Sequence, residues 1–346
     1  MESFKGKRIL FIGQVFYDYH TKIIESLEMQ GATVVFFENK IHFQDPNVNK
    51  GLLGIIARKF SSYYKENYTT SKIIHKIANK KFDYLFVIGG FSITGSFIEQ
   101  IKKKNKGIIT ILYLWDSLNV WKYDNILKFF DRKFSFDFSD VKKYKGLKYL
   151  PLFYTDEFKK KDIENTEADI DILYIGSVSP STLNRLEIAD QTGRLSEKRN
   201  LNSFIYLYVP YRKRGVFTKL AHITKYIFLG KYRNFWNAIS NSKYVFREPL
   251  SRSQVSKLFT RAKVVLDVPV SGQVGQTIRT IETLASGKKL VTTNLNIKNE
   301  FFFNPSAVRI YSDYIKDIDS FAEGKDTVNI DYLYIDNWLK EIFYGT

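Results

Sequence analysis

The stretch that decides the fold is Ser271–Asn294, SGQVGQTIRTIETLASGKKLVTTN. Gly272 and Gly275 allow backbone to approach a ligand closely, and the residues after them begin a helix whose apolar side chains recur at helical spacing. Gly287 ends this helix, and the apolar run that follows indicates a buried strand. A helix that starts behind a glycine-rich turn presents unpaired N–H groups and the positive end of its dipole. The segment therefore predicts a site for a phosphorylated ligand.

This segment resembles the nucleotide-sugar site of GT-B glycosyltransferases. In that family the second domain carries a glycine-rich turn, a helix with an arginine and a glutamate, and a closing glycine before a strand. The resemblance implies that the donor diphosphate binds at Gly275, Gln276 and Thr277, at the start of the helix. It also implies that Arg279 lies at the donor and that Glu282 accepts hydrogen bonds from the ribose. The alternative is an ordinary amphipathic helix with a glycine cap in another α/β protein.

Three more residues are predicted to contact the donor. Gly176 and Ser177 close the first strand of the second half and match the turn that lines the donor phosphates in the resembled family. The alternative for Gly176 is a tight strand exit. Arg212 follows the next strand and could reach the diphosphate. A retaining branch of the family has two glutamates eight residues apart, but the earlier position here is Val274, so the resemblance implies an inverting reaction.

Composition limits the classes of function. The chain has 346 residues, 44% of them hydrophobic, which suits two domains. The net charge of +17 favours anionic partners: nucleotide phosphates, a lipid surface or nucleic acid. With no cysteine and four scattered histidines, we expect no metal site and no cofactor besides a UDP-, GDP- or dTDP-sugar donor. No apolar run approaches the roughly 20 residues that cross a bilayer, so we expect a cytoplasmic protein.

Short apolar strands alternate with helices through both halves of the chain, which predicts parallel βαβ units. The predicted fold class is α/β, GT-B, with two Rossmann-like domains facing across a cleft. We assign residues 1–155 to an acceptor-side domain and residues 168–320 to the nucleotide-sugar donor domain. Residues 321–346 are predicted to form a helix that, by the resemblance, packs back on the first domain. The charged residues between the two domains are interpreted as a linker.

Three residues of the first domain are candidates for a catalytic base. Asp18 and His20 lie in the loop after the first strand, and Asp116 directly follows the predicted strand Ile108–Trp115. A carboxylate or imidazole at the carboxyl end of a parallel strand can take the proton of an acceptor hydroxyl. The alternative is that the aspartates cap the helices that follow. Asp116 is favoured because a carboxylate is ionised at neutral pH, whereas His20 would have to be neutral.

Basic and aromatic residues interleave from Tyr206 to Trp236, a pattern that suits an anionic membrane interface. The alternative is a helical insertion with a buried aromatic face. A protein of this kind would be peripheral at the inner face of the plasma membrane.

The function implied by the resemblance is transfer of a sugar from a nucleotide-sugar to a carbohydrate acceptor. By family analogy the acceptor is a lipid-linked intermediate of a bacterial surface polysaccharide such as capsule or lipopolysaccharide O-antigen. One alternative is a nucleotide-sugar epimerase of the non-hydrolysing kind. A second alternative, a basic nucleic-acid-binding protein, lacks a helix-turn-helix, zinc or RNP signature, so we expect no nucleic-acid partner.

Overall fold

The structure is a computed structural model that describes residues 3–39, 73–90, 93–119, 124–160, 168–209, 230–314, 321 and 328–345. The chain divides into two compact units. The first comprises Met1–Phe153 together with Tyr332–Thr346, and the second comprises Tyr154–Asp331.

The first unit is built on a parallel sheet to which the described residues contribute six strands. These are β1 (Arg8–Gly13), β2 (Thr33–Glu38), β3 (Tyr84–Ile88), β4 (Ile109–Leu114), β5 (Arg132–Ser135) and β6 (Lys148–Tyr149). Their order in the sheet is β2-β1-β3-β4-β5-β6. Every residue of β3 is buried, as is typical of a central parallel strand with both faces covered.

Helices pack on this sheet through apolar stripes. They are α1 (Tyr19–Met29), α2 (Gly95–Lys104) and α3 (Phe138–Lys143). The first turn of α2 is capped by Thr94, whose side chain accepts a hydrogen bond from the Phe97 N–H at 3.2 Å. Its buried residues, Phe97, Ile98 and Ile101, recur at helical spacing and join the core beneath β3 and β4.

The second unit has a second parallel sheet with six strands in the described residues. They are β7 (Ile170–Ser177), β8 (Ser203–Tyr208), β9 (Val245–Phe246), β10 (Ala262–Asp267), β11 (Lys289–Thr292) and β12 (Val308–Ile310). The order is β12-β11-β10-β7-β8-β9. The helices are α4 (Asn184–Arg199), α5 (Gly230–Ser240), α6 (Arg252–Arg261), α7 (Ile278–Ala285) and α8 (Tyr311–Tyr314). The predicted α/β class with two Rossmann-like domains is confirmed.

The C-terminal helix α9 spans Ile335–Tyr344 and belongs to the first unit. Trp338 is fully buried, and its indole N–H donates to the Pro151 carbonyl at 3.0 Å. The ring of Phe343 lies 5.1 Å from that of Phe4 and 5.0 Å from that of Tyr84. The helix is shorter than the predicted segment 321–346, because the described residues from Val328 to Asp331 belong to the second unit.

The segment that joins the first unit to the second is not the linker that the sequence predicted. Asp156–Phe158 forms a 3₁₀ turn of the second unit rather than a tether. Phe158 is buried there, with its ring 5.2 Å from that of Phe259 in α6. An aromatic side chain in the charged stretch is thus part of a core. Residues 161–167 lie outside the described residues.

Candidate functional site

The order of the second sheet contains a switch point between β7 and β10. From β7 the chain adds β8 and β9 on one side and then crosses to β10 on the other side of β7. The loops that leave the carboxyl ends of β7 and β10 therefore run in opposite directions along the sheet. Open α/β sheets bind ligands in the crevice that such diverging loops create.

The loop after β10 is a built turn that leads into α7. Gly272 has φ +84°, a left-handed conformation that a residue with a Cβ adopts only with strain. Thr277 caps α7 by accepting a hydrogen bond from the Thr280 N–H at 3.2 Å. Both threonine hydroxyls donate to the Asp267 carboxylate, at 2.7 and 2.9 Å. The Thr277 hydroxyl is thus committed to structure, so an anion at the start of α7 would meet the backbone amides of the first turn instead.

Asp267 was not among the predicted residues. It is the last residue of β10 and is buried. Burial raises its pKa, and the opposing effect of the hydrogen bonds from Thr277 and Thr280 is smaller. Like Asp116, it is a carboxylate at the carboxyl end of a parallel strand. Its contacts make it an anchor for the start of α7.

Gln276 supports the turn from beneath. Its side chain is only 2% exposed, and its amide nitrogen lies 3.5 Å from the Val274 carbonyl oxygen. Asn294, at the other end of the predicted segment, donates to the same carbonyl at 3.1 Å and lies 3.5 Å from the Gly275 carbonyl oxygen. Of the predicted donor contacts, Gln276 and Gly275 are therefore enclosed in this conformation.

Arg185 joins the two loops of the switch point and was missed at the sequence level. Its Nε donates to the Val268 carbonyl at 2.8 Å, and its Nη1 donates to the Ser177 carbonyl at 2.6 Å. Arg185 is the second residue of α4. Nothing in the neighbouring sequence indicates that its side chain reaches the end of β10. The arginine holds the carboxyl ends of β7 and β10 at a set distance and places a positive charge between them.

Gly176 is not required by the packing of the protein. Its φ lies outside the left-handed region, and an added Cβ would meet Leu207 at 3.5 Å, an ordinary contact. The alternative of a tight strand exit therefore lacks support from the geometry. Ser177 is exposed at the end of β7, beside Gly176.

Glu282 differs from the expectation of a carboxylate open to a ligand. Helical spacing correctly placed it beside Arg279, whose Nη1 lies 3.0 Å from Oε2. The Glu282 side chain is fully buried, and its Oε1 lies 3.7 Å from Nη2 of Arg252. The Arg252 guanidinium also contacts the side chains of Glu157 and Thr155. Both oxygens therefore face arginines. The residues that enclose Glu282 belong to α6 and to the segment at the start of the second unit.

Arg212 lies outside the described residues, as does most of the segment Tyr206–Trp236. In the described part, the Tyr206 hydroxyl donates to the Glu248 carbonyl at 2.6 Å, and its ring stacks on Phe246 at 4.0 Å. Phe235 is buried in the core of the second unit. These aromatic residues pack within their own unit.

The first sheet has a matching switch point between β1 and β3. A pocket lies at this place, and its lining residues are Phe11, Gln14, Phe16, Tyr19, His20, Ile23, Ile88 and Trp115. The fold thus brings the loop after β1 together with the ends of β3 and β4. His20 lines the pocket directly, and Asp116 follows the lining residue Trp115.

The loop after β1 is strained and apolar. Tyr17 and Asp18 have φ values of 39° and 63°, and consecutive left-handed residues other than glycine persist only where their surroundings impose them. Asp18 occupies the N-cap position of α1, as the capping alternative predicted, but its side chain makes no capping hydrogen bond. Val15, Phe16 and Tyr17 are about half exposed.

His20 lies in the first turn of α1, with its ring 5.2 Å from that of Phe36. Its Nδ1 is buried and has no hydrogen-bond partner, and its Nε2 lies 3.4 Å from the Thr21 hydroxyl. A buried ring nitrogen at the wall of a pocket is free to hydrogen-bond a ligand.

Asp116 is half-buried at the end of β4, and burial raises its pKa to about 6. The residues directly after it, Ser117–Asn119, form a turn rather than a helix. Asp116 is therefore not the N-cap that the alternative interpretation predicted. Its neighbours are held by Asp140, which accepts hydrogen bonds from the Leu118 N–H at 3.1 Å and the Ser117 hydroxyl at 3.4 Å. Asp140 is buried, and burial raises its pKa. Sequence alone gave no signal for this second carboxylate.

The described residues contain neither a metal-ligand cluster nor a membrane-spanning helix. No three histidine, aspartate or glutamate side chains of these residues converge as metal ligands would. No helix among them has the length and apolar character needed to cross a bilayer.

Comparison with known proteins rests on structure. No family model matches the chain, and no curated protein matches it in sequence. The apo structure of OtsA is similar with TM-score 0.59 and 10% identity, over 98% of this chain and 99% of that chain. The UDP-forming α,α-trehalose-phosphate synthase of Burkholderia xenovorans in complex with glucose-6-phosphate gives TM-score 0.56 and 11% identity, over 98% and 97%. The Methanocaldococcus jannaschii UDP-GlcNAc 2-epimerase in complex with UDP-GlcNAc and UDP gives TM-score 0.53 and 12% identity, over 98% and 100%.

At these identities the likeness is one of fold. The chain has the two-domain α/β fold of these GT-B proteins over nearly its whole length, as the sequence predicted. The similar structures include GT-B glycosyltransferases, and a nucleotide-sugar epimerase is among them.

Proposed function

We propose that the protein is a glycosyltransferase whose nucleotide-sugar donor binds at the switch point between β7 and β10. The observation that carries the proposal is the start of α7 behind the Gly272 turn, with Arg185 placed between the two loops. Amides at a helix start together with a guanidinium suit a diphosphate. Gly176 supports the same site, because the packing of the protein leaves no reason for glycine there.

The proposed donor is a UDP-sugar in the first instance, with GDP- and dTDP-sugars as the other candidates. Two of the similar structures are a UDP-GlcNAc 2-epimerase and a UDP-forming synthase, which makes uridine the base to test first. Thr277 caps the start of α7, and Arg279 is paired with Glu282. Glu282 would have to leave its arginine partners before it could contact a ribose.

The proposed reaction is a direct displacement with inversion. The acceptor oxygen attacks the anomeric carbon, and the bond from that carbon to the diphosphate oxygen breaks. The electron pair leaves with the diphosphate, which the start of α7 and Arg185 stabilise. The acceptor proton goes to the Asp116 carboxylate. A base with a pKa of about 6 is mostly ionised at neutral pH and still accepts a proton, which makes Asp116 the first candidate ahead of His20 and Asp18.

The acceptor is proposed to be a carbohydrate carried on a lipid, as in bacterial capsule or O-antigen synthesis. The exposed aromatic residues Phe16 and Tyr17 beside the pocket of the first unit support a carbohydrate acceptor, because aromatic rings can pack on the apolar faces of sugar rings. The net charge of +17 supports a peripheral place at an anionic membrane.

Product analysis tests this function. The protein would be incubated with UDP-, GDP- and dTDP-sugars, with and without lipid-linked carbohydrate acceptors. Release of nucleoside diphosphate that requires an acceptor is the expected result. A change of configuration in the donor sugar without any acceptor would establish an epimerase instead, and failure of every nucleoside diphosphate to bind in calorimetry would remove the donor site.

A further inference from the structure

The amino-terminal edge of the first sheet is strongly basic. Because all strands of this sheet are parallel, they begin at one edge, opposite the edge that holds the pocket. A cleft of about 520 Å³ lies there. Its cationic lining residues are Arg8 at the start of β1 and Lys81, Lys103, Lys104 and Lys106 in the segments that lead into β3 and β4.

The positive charge of this cleft has little local compensation. Its one lining carboxylate, Asp83, accepts a hydrogen bond from the Arg8 backbone N–H at 2.8 Å. Lys103 and Lys106 are exposed and form no ion pair with the described residues. Lys81 donates to the Lys104 carbonyl at 2.6 Å, which keeps two of the cationic segments side by side. Like charges gathered in this way favour an anionic partner.

The floor of the cleft is rigid. Phe82 and Asn105 are buried, and the Asn105 side chain accepts a hydrogen bond from the Phe82 N–H at 2.9 Å. The Asn105 amide also donates to the Ile101 carbonyl at 3.0 Å, which ties the floor to the end of α2. The lysines therefore stand on a fixed base and converge on one space.

Size and surroundings decide between anionic partners. The cleft is within the range of about 300–1,000 Å³ of small-molecule pockets, so it suits one phosphate-bearing headgroup. A single-stranded nucleic acid is held by exposed aromatic side chains along a groove, whereas Phe82, the aromatic residue of this cleft, is buried. Lys5 and Lys7 precede β1 at the same edge and extend the positive surface beyond the cleft. A bilayer offers both a headgroup for the cleft and further headgroups for its rim.

We propose that this edge docks on an anionic bilayer, with a lipid headgroup phosphate in the cleft. Because the cleft is lined by lysines and an arginine, the attachment is electrostatic and weakens with salt. The six residues of β1 at about 3.3 Å each place the pocket of the first unit about 20 Å from the bilayer. A lipid-linked acceptor would then reach it through a chain of sugars. The docking itself does not depend on sugar transfer.

The test is cosedimentation of the full chain with vesicles of one part phosphatidylglycerol to three parts phosphatidylcholine. The variant is Lys103→Glu with Lys106→Glu. The matched control is Lys198→Glu with Lys257→Glu, which makes the same change in net charge on exposed lysines of the second unit. Lys103 and Lys198 each lie in the last turn of a helix, so each double variant replaces one lysine at a helix end.

The wild type and the control should bind these vesicles alike, and the cleft variant should bind at least about tenfold more weakly, since each lysine at an anionic surface contributes substantially. Thermal unfolding would verify that both variants are folded. Equal binding by the cleft variant and the control would overturn the proposal, as would equal binding of the wild type to pure phosphatidylcholine. If the wild type bound duplex DNA at physiological salt but not vesicles, and the cleft variant lost the DNA binding, the edge would be assigned to nucleic acid instead.

Discussion

Replacing Glu282 with alanine should destabilise the second unit rather than remove a ligand contact. The carboxylate is fully buried, and the arginines beside it, Arg279 and Arg252, have side chains only 20% and 10% exposed. Loss of the carboxylate would leave two enclosed guanidinium groups without their shared partner. Removing one member of a buried ion pair costs about 3–5 kcal/mol, and the residual exposure of both arginines reduces this to about 2–3 kcal/mol. For a unit of this size we expect a melting temperature lower by about 5–10 °C.

Circular dichroism during heating measures this change, with Glu197→Ala as the matched control. Glu197 also pairs with a cation, Lys243, at 3.0 Å, but both side chains are about two-thirds exposed. Its removal should shift the melting temperature by less than about 2 °C, because exposed pairs contribute little. Calorimetry with UDP well below the transition should show affinity within about threefold of wild type for Glu282→Ala, since a threefold change is under 1 kcal/mol. An unchanged melting temperature together with a tenfold loss of affinity would refute the structural role and restore the ribose contact implied by the resemblance.

Asp116→Asn should lower turnover by about 10²–10⁴ and leave nucleotide affinity unchanged, as loss of a general base does; turnover within tenfold of wild type would remove Asp116 as the base. In the wild type, kcat/KM should fall as the pH drops through about 6, where Asp116 takes up its proton, and rate profiles against pH would show whether that limb exists. Folding raises the pKa of Asp116, so its protonated form stabilises the folded protein. This contribution is fully present below the ordinary pKa of 3.8 and is lost as the pH rises through about 6. Urea titrations of the wild type and Asp116→Asn at several pH values measure this loss. Arg185→Gln should weaken UDP binding by at least about fivefold in calorimetry, since it removes a charge and two hydrogen bonds at the switch point, and unchanged affinity would exclude the guanidinium from the donor site. Asp140→Asn should lower kcat without changing the KM for the donor, because Asp140 holds the loop beside Asp116 and the Ser135 hydroxyl of β5, all in the first unit; a changed donor KM in steady-state kinetics would contradict this. Gly176→Ala should weaken UDP binding without changing the melting temperature, whereas Gly272→Ala should lower the melting temperature because its φ of +84° strains any residue with a Cβ; the opposite pattern would show that Gly176 is structural.

The fold was predictable because it depends on local pattern. Short apolar runs, such as β3 and the centre of β10, alternate with amphipathic helices, which is enough to indicate parallel sheets. The start of α7 was also within reach, since the Gly272 turn and the Thr277 cap are adjacent in sequence. The position of Asp116 shortly after a strand was predicted correctly for the same reason.

The environment of each side chain was beyond the sequence alone. Glu282 is enclosed by Arg252, thirty positions earlier, and by the segment at the start of the second unit, and helical spacing describes only the face that Glu282 shares with Arg279. Arg185 meets Val268 across the sheet, because parallel strands distant in sequence end at one edge.

The sequence by itself therefore determined the elements, their parallel pairing and the position of the glycine turn, since these follow from spacing within a few turns of chain. The tertiary structure decided which side chains are open to a ligand, which carboxylates are anchored, and that scattered lysines meet in one cleft at the edge of the first sheet. The physical reason is that burial and charge at a site are sums over neighbours, and most neighbours in a parallel sheet come from strands far apart in the chain.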